Sequence, residues 1–207
     1  MRLLVVIAIA LALAGCGGGG APQADGTLDP VQLVQALQEG GLVVYLRHAA
    51  TDRSKEDAGV VDLEACATQR NLSDAGRDQA RTIGEGFRML EIPLGQVRSS
   101  EYCRTRETAR LAFARVRLEP DLTGFPNEGD RGYRERIRRT RELLADEPEA
   151  GKDTVLVGHI KNIQASAGIS IEEGEVAVFE PLGGTSFRYL GRIPAEAWPQ
   201  LVAKLGR

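Results

Sequence analysis

The chain has 207 residues, 43% of them hydrophobic, and its 26 Lys and Arg against 29 Asp and Glu give a formal net charge of −3. This composition is typical of one globular domain and excludes a collagen, a coiled coil, a disordered tail and a small disulfide-dense scaffold. The mild acidity argues against a nucleic-acid partner, and the presence of only two histidines excludes most His-rich metal sites.

The N-terminal segment precedes the predicted globular domain. Residues 3–15 are an apolar run too short to cross a bilayer of roughly 30 Å as a helix, so residues 1–15 are predicted to be a secretory signal peptide. The run ends at Cys16 and resembles the bacterial lipobox, which implies that Cys16 is lipidated and becomes the new N-terminus. Residues 16–27 then form a flexible tether, and residues 28–207 form the domain.

The alternative for this segment is a buried N-terminal helix ending at Gly15, but four consecutive glycines follow Cys16. The expected location is therefore the bacterial cell envelope, on the periplasmic side, with the membrane as a partner through the lipid anchor. Because Gly17 rather than Asp follows Cys16, the outer membrane is favoured.

Helices and strands alternate along the domain. Pro30 opens the first helix, and Asp29, Ser73 and Ser100 are placed to cap the first three. In chain order we predict helix 31–39, strand 42–46, helix 74–90, strand 95–99, helix 101–113, strand 116–118, helix 133–146, strand 154–158, strands 176–180 and 186–191, and helix 194–205, with long loops over 49–71 and 120–132. This pattern predicts an α/β fold, a three-layer sandwich whose mainly parallel central sheet has helices on both faces and an antiparallel hairpin at one edge.

Three of the predicted strands end in residues that can carry chemistry. Arg47 and His48 follow the first strand, Arg104 lies just beyond the second, and His159 follows the strand 154–158. Each residue alone is more simply explained as a loop or helix-surface side chain. Ligands of parallel sheets, however, bind beyond the carboxyl ends of the strands, and two guanidiniums with two imidazoles at one edge match the oxygens of a phosphate group.

The segments that contain these residues resemble the histidine phosphatase (phosphoglycerate mutase-like) superfamily, over about residues 41–191. The resemblance implies that His48 is a nucleophile that becomes phosphorylated, and that Arg47, Arg104 and His159 hold the phosphoryl group. Ala49 stands where the family usually has Gly, and residues 52–54 resemble an exported bacterial branch that includes phosphatases of lipopolysaccharide core sugars. The family motifs stand here at 46–51, 72–80, 99–109 and 155–159.

The general acid is left open by the sequence. Many family members use a carboxyl in the loop after the arginine-bearing helix, which makes Glu128 the first candidate, with Asp52 and Asp130 as alternatives. An Asp directly after the second histidine is absent, because Ile160 stands there. The pKa of the acid must be raised, by burial or by the charge of the substrate, for it to hold a proton.

Cys66 and Cys103 remain once Cys16 is assigned to the lipid, and in an exported protein they are expected to form a disulfide; two separate buried thiols are the alternative. The predicted function is a metal-independent phosphomonoester phosphatase that uses a phosphohistidine intermediate and no cofactor. Its partner is a small phosphorylated substrate, with no nucleic acid and no required protein partner. The alternatives are a phosphotransferase or mutase, and a non-catalytic lipoprotein that binds a phosphorylated ligand.

Overall fold

The computed structural model describes residues 27–58, 61–124 and 132–206, which form a six-stranded mixed sheet with helices around it. The predicted signal peptide, Cys16 and most of the tether lie outside the described residues, as do Glu128 and Asp130. The strands are β1 Val43–Arg47, β2 Leu94–Ser99, β3 Arg117–Leu118, β4 Asp153–Gly158, β5 Val176–Pro181 and β6 Phe187–Ile193. The helices are α1 Pro30–Glu39, α2 Asp74–Met89, α3 Cys103–Phe113, α4 Tyr133–Ala145, α5 Ile160–Ala167 and α6 Trp198–Leu205.

The sheet has the strand order β3-β2-β4-β1-β5-β6. Strands β3, β2, β4 and β1 run parallel to one another, whereas β5 is antiparallel to β1 and β6 is antiparallel to β5. The predicted fold class, with a mainly parallel sheet and an antiparallel edge, is therefore confirmed. Since β4 and β1 are the two central strands, their carboxyl ends lie side by side in the middle of one edge of the sheet.

Helices cover both faces of the sheet, and alternate residues of each strand reach one face or the other. Val44 and Leu46 of β1 pack with α1, α2, α3 and α6, whereas Val43 and Tyr45 pack with α4 and α5. All four of these β1 residues are fully buried. A continuous apolar run fits this position because a central strand is covered by helices on both sides.

The structure differs from the sequence predictions at three helices, α5, α3 and α6. Helix α5 was not predicted. It begins directly after His159, packs Ile163 into the core and ends at Ala167, with Gly168 as its C-cap residue, whose φ of 70° suits glycine. Helix α3 begins at Cys103 with Tyr102 as its N-cap residue, so the prediction that Ser100 caps it was wrong. The Ser100 hydroxyl is used for a different contact, described below.

The last helix also begins later than predicted, at Trp198, after a single 3-10 turn over Ala195–Ala197. Its bulkiest side chain, Trp198, is fully buried and packs against Phe87 of α2 with ring centroids 4.9 Å apart. Within the described ranges, no helix combines the length and the apolar character needed to cross a membrane.

Candidate active site

The carboxyl ends of the three parallel strands β2, β4 and β1 form one edge of the sheet. Arg47 pairs with Gly158 across β1 and β4, so His48 and His159 leave the sheet as neighbours, and their ring centroids are 5.5 Å apart. A cavity of about 320 Å³ opens at this edge. Its lining consists of Arg47, His48, Asp57, Arg70, Tyr102, Arg104, Gly124, His159, Ile160, Lys161 and Asn162. The structure therefore brings all four predicted site residues of the described chain to one cavity.

The ring of His48 is held in one orientation. The residue is 3% exposed, and its Nδ1 lies 3.0 Å from the carbonyl oxygen of Ala49. Because a carbonyl only accepts, Nδ1 carries the ring proton and Nε2 keeps its lone pair. Burial lowers the pKa of His48 to about 4, and the positive charges of Arg104 and Arg47 act in the same direction. A neutral imidazole with a free Nε2 is the form that can attack phosphorus.

The alanine that replaces the family glycine is accommodated by packing. Ala49 is fully buried and packs against Leu72 and Ala80. Its backbone is outside the left-handed region that favours glycine, so the methyl group introduces no backbone strain there. The Ala49 N–H donates to Oγ1 of Thr108 at 3.1 Å, which fixes the peptide that follows His48 to α3.

The motif at the start of α2 holds the next residue, Ala50. The Ser73 N–H and the Ser73 hydroxyl both donate to the carbonyl of Ala50, at 3.1 and 3.3 Å. Gln79 accepts from the Ala50 N–H at 2.9 Å. A Cβ on Gly76 would lie 1.9 Å from the Ala50 carbonyl oxygen, so only glycine permits this close approach. The motif thus positions the chain that leaves His48, while His48 itself touches the ligand cavity.

The two predicted phosphate-binding arginines also have partners within the protein. Arg47 donates to the carbonyl of Ile171 at 2.8 Å and lies 3.7 Å from Glu173. Arg104 donates to Oδ1 of Asp57 at 3.0 Å, and burial lowers the pKa of both guanidiniums. The Nε atoms of both arginines are buried without a hydrogen-bond partner among the described residues. Each guanidinium therefore has an N–H that no described residue uses.

The second histidine, His159, is held by contacts to its backbone carbonyl and to its ring. The Tyr45 hydroxyl donates to the carbonyl of His159 at 2.9 Å, and a Cβ on Gly158 would overlap that hydroxyl at 2.1 Å. Nε2 of His159 lies 2.8 Å from the hydroxyl of Ser100. Burial holds the pKa of His159 well below its usual value, and the positive charges of Arg104, Arg47 and Arg70 act in the same direction. The ring is therefore neutral and can donate one N–H.

The disulfide expected between Cys66 and Cys103 is present, with the two Cα atoms 5.6 Å apart. It joins the loop over 49–71 to the first residue of α3, directly before Arg104. Gln69, which is 2% exposed, adds a hydrogen bond from the Cys103 N–H at 2.9 Å. The loop that carries Asp57 and Arg70 is thereby fastened next to the arginine it contacts.

Several lining residues were not found by sequence reasoning. Asp57 and Arg70 lie in the loop over 49–71, which has no periodic pattern, and Lys161 and Asn162 lie on the unpredicted helix α5. The position of Arg70, just before the motif at 72–80, is the one sequence signal that could have pointed to it.

The alternative acid Asp52 is outside the cavity lining, and hydrogen bonds from Ser54 lower the pKa of its carboxyl. That carboxylate is ionised, so this residue is a poor candidate for a proton donor. A larger cavity of about 430 Å³ lies beside α4, but none of its lining residues belongs to the predicted site. The chemistry therefore belongs to the smaller cavity.

Comparisons with known proteins agree with this geometry. The family model described as "Histidine phosphatase superfamily (branch 1)" matches residues 43–154. No curated protein matches the sequence. Among solved structures, a mutant phosphoserine phosphatase of Entamoeba histolytica in complex with phosphoserine has a TM-score of 0.53 at 13% identity, covering 75% of this chain and 98% of that chain.

Two further structures show the same likeness. A phosphoglycerate mutase of Thermus thermophilus has a TM-score of 0.51 at 21% identity, covering 73% of this chain and 98% of that chain. The protein histidine phosphatase SixA complexed with tungstate has a TM-score of 0.51 at 15% identity, covering 74% of this chain and 97% of that chain. At these identities the likeness concerns the fold.

Proposed function

The chain belongs to branch 1 of the histidine phosphatase superfamily, and from this premise we propose that it is a phosphomonoester phosphatase that works through a phosphohistidine. The observation that carries the proposal is the state of His48. Its pKa is lowered to about 4, its Nδ1 is engaged by the Ala49 carbonyl, and it shares one cavity with Arg47, Arg104 and His159. A neutral nucleophile surrounded by donors is what phosphoryl transfer to histidine requires.

In the first step, Nε2 of His48 attacks phosphorus in line with the ester oxygen. The N–P bond forms, the P–O ester bond breaks, and a protonated carboxyl gives its proton to the leaving oxygen. Arg47, Arg104 and His159 donate hydrogen bonds to the three equatorial oxygens, where negative charge is spread in the transition state. Because guanidiniums supply this stabilisation, the proposed mechanism needs no metal ion.

In the second step, water attacks the phosphohistidine, and the carboxylate formed in the first step takes a proton from that water. The P–N bond breaks, inorganic phosphate leaves, and His48 returns to its neutral form. Glu128 is our candidate for the acid and base. The carboxyl of Asp57 instead accepts hydrogen bonds from Arg104 and from the N–H of Arg70, so it is already engaged within the protein.

The function is tested by trapping the phosphoenzyme. Wild-type protein mixed with a ³²P-labelled phosphomonoester and quenched within milliseconds should contain an acid-labile, alkali-stable phosphoryl group. His48→Ala should contain none and should lose nearly all turnover, because the two-step route disappears. A non-catalytic phosphate binder would give no label with either protein. A mutase or phosphotransferase would transfer the label to an added acceptor in preference to water.

We also propose that the enzyme acts outside the cytoplasm and is lipid-anchored through Cys16, on the periplasmic side and preferentially at the outer membrane. The Cys66–Cys103 disulfide supports an oxidising compartment, and the lipobox-like sequence supports the anchor. The test is expression in a bacterial host followed by membrane fractionation. Wild-type protein should be in the membrane fraction, and Cys16→Ser should be released or left unprocessed. An unmodified Cys16 in the intact mass of the wild type would refute the anchor.

A further inference from the structure

Asn162 has unmet hydrogen-bonding capacity at the cavity. It lies on the first turn of α5, is fully buried and lines the same cavity as His48 and His159. Neither its Oδ1 nor its Nδ2 has a hydrogen-bond partner among the described residues. Buried amide groups are almost always paired, so an unpaired amide at the edge of a ligand cavity indicates that a ligand completes it.

The phosphoryl group is a poor match for this amide. Phosphoryl oxygens only accept hydrogen bonds, and the donors of Arg47, Arg104 and His159 already surround them in the proposed mechanism. They would pair with Nδ2 but leave Oδ1 buried and unpaired. Two neighbouring hydroxyl groups fit better, since one can donate to Oδ1 while the other accepts from Nδ2.

The position of Asn162 places such hydroxyls close to the ester oxygen. Asn162 follows His159, the N-cap residue of α5, by three residues, and both side chains line the cavity with His48. The ring of His159 is 5.5 Å from that of His48. The cavity of about 320 Å³ is at the small end of ligand sites. It therefore suits a short leaving group rather than a long chain.

We propose that Asn162 binds a vicinal pair of hydroxyls on the leaving group, so that the preferred substrates are phosphomonoesters of small polyols. That these esters are substrates rests on the proposed function, but the preference in binding does not depend on turnover. Asn162 thus selects the leaving group. The phosphoryl group is bound by a separate set of residues, Arg47, His48, Arg104 and His159.

The test compares two ligands of equal chain length, glycerol 1-phosphate and propyl phosphate, which lacks both hydroxyls. Binding is measured by calorimetry with His48→Ala, which cannot form the phosphoenzyme. Glycerol 1-phosphate should bind about 10- to 100-fold more tightly, because two uncharged hydrogen bonds each contribute up to about tenfold. Adding Asn162→Ala should remove this difference and leave the affinity for propyl phosphate unchanged. Asn162→Asp, which keeps Oδ1 but loses the Nδ2 donor, should reduce the preference.

The matched control is Ser166→Ala, because Ser166 is on the same helix, buried and also without a partner for its hydroxyl among the described residues, but it does not line the cavity. This control should keep the full preference. Equal affinity of the two ligands for the His48→Ala protein, which retains Asn162, would overturn the proposal. A uniform loss for both ligands in Asn162→Ala would overturn it too, since the amide would then hold the phosphoryl group. If the preference holds but the wild type turns over neither ester, the proposed function fails and the hydroxyl site stands.

Discussion

The hydroxyl of Ser100 lies 2.8 Å from Nε2 of His159, and this contact joins the ends of strands β2 and β4 at the phosphate cavity. The Ser100 oxygen also accepts from the N–H of Tyr102 at 3.3 Å and from the hydroxyl of Thr123 at 3.4 Å. Both of its lone pairs are then used, so its own proton is directed to Nε2. His159 then carries its ring proton on Nδ1, as a neutral donor for an oxyanion. The residue expected to cap α3 is in this way used to fix a tautomer.

His159 and Ser100 should therefore have graded effects on catalysis. His159→Ala removes one donor to the transition state and should lower kcat on an alkyl phosphate by about 10²–10³, while a phosphoenzyme still forms slowly. Ser100→Ala should cost less, because it loosens the ring without removing it. Rapid-quench kinetics measures both steps. Ser99→Ala is the control, since the Ser99 hydroxyl bonds a backbone carbonyl instead, and an effect as large as that of Ser100→Ala would contradict the tautomer role.

Neither histidine should titrate near pH 6.5 in the folded protein. The pKa of His48 is lowered to about 4, first by burial and then by the charges of Arg104 and Arg47, and the pKa of His159 is also lowered. The measurement is a ¹H–¹⁵N imidazole titration by NMR, which only two histidine signals make simple to assign. Because the folded pKa is below that of the unfolded chain, the stability from neutral His48 is present above pH 6.5 and is lost as the pH falls towards 4. An inflection between pH 6 and 7 for His48 would contradict the neutral-nucleophile mechanism.

The general acid can be identified by comparing kcat on substrates whose leaving groups do or do not need a proton. Glu128→Gln should lower kcat on propyl phosphate by about 10²–10⁴, since an alkoxide needs a proton to leave. It should change kcat on p-nitrophenyl phosphate much less, because nitrophenolate leaves without one. Asp52→Asn, at a carboxyl outside the cavity lining, is the control and should affect neither substrate. If the leaving-group-dependent loss occurs in Asp57→Asn and not in Glu128→Gln, the acid is Asp57.

The disulfide should support both stability and phosphate binding. The bond closes a segment with a sequence separation of 37, for which chain entropy gives about 4 kcal/mol of stabilisation. The double variant Cys66→Ser and Cys103→Ser should lose up to this amount in urea unfolding. Its affinity for inorganic phosphate should also fall, because Arg104 directly follows Cys103 and the loop carries Asp57. Wild-type protein reduced with dithiothreitol should behave like the variant. Unchanged phosphate affinity in both would show that the disulfide does not support the phosphate site.

Asp153 should make stability depend on pH in the opposite sense to His48. Its side chain is buried at the start of β4, where it accepts the N–H of Leu42 at 2.8 Å, and burial raises its pKa to about 7. Because the pKa is raised, the contribution of protonated Asp153 to the free energy of unfolding is fully present below about pH 3.8 and is lost as the pH rises through 7. Asp153→Asn keeps an acceptor for the Leu42 N–H but does not titrate. The free energy of unfolding of the variant, relative to that of the wild type, should therefore increase from pH 4 to pH 8, by at most roughly 4 kcal/mol. Urea unfolding at the two pH values measures this difference, and an identical difference at both would be inconsistent with a buried, titrating carboxyl.

The sequence by itself determined the fold class and the central four residues of the site. Apolar runs such as 42–46 predict strands, and parallel strands place the residues that follow them at one edge, so His48, Arg47, Arg104 and His159 could be found without coordinates. The motif at 72–80 could also be recognised, but its physical role could not. Only the structure shows that Gly76 allows α2 to approach the Ala50 carbonyl.

The tertiary structure alone decided which residues complete the cavity. Asp57 and Arg70 lie in a loop without periodicity, whose path is set by the disulfide and by hydrogen bonds to α3 rather than by local propensity. Asn162 lies on α5, an eight-residue helix too short to give a clear periodic signal. Ser100 had the right residue type for a cap, but its neighbour across the sheet edge is His159. Contacts between residues far apart in the chain depend on how strands pair, and no local pattern encodes that pairing.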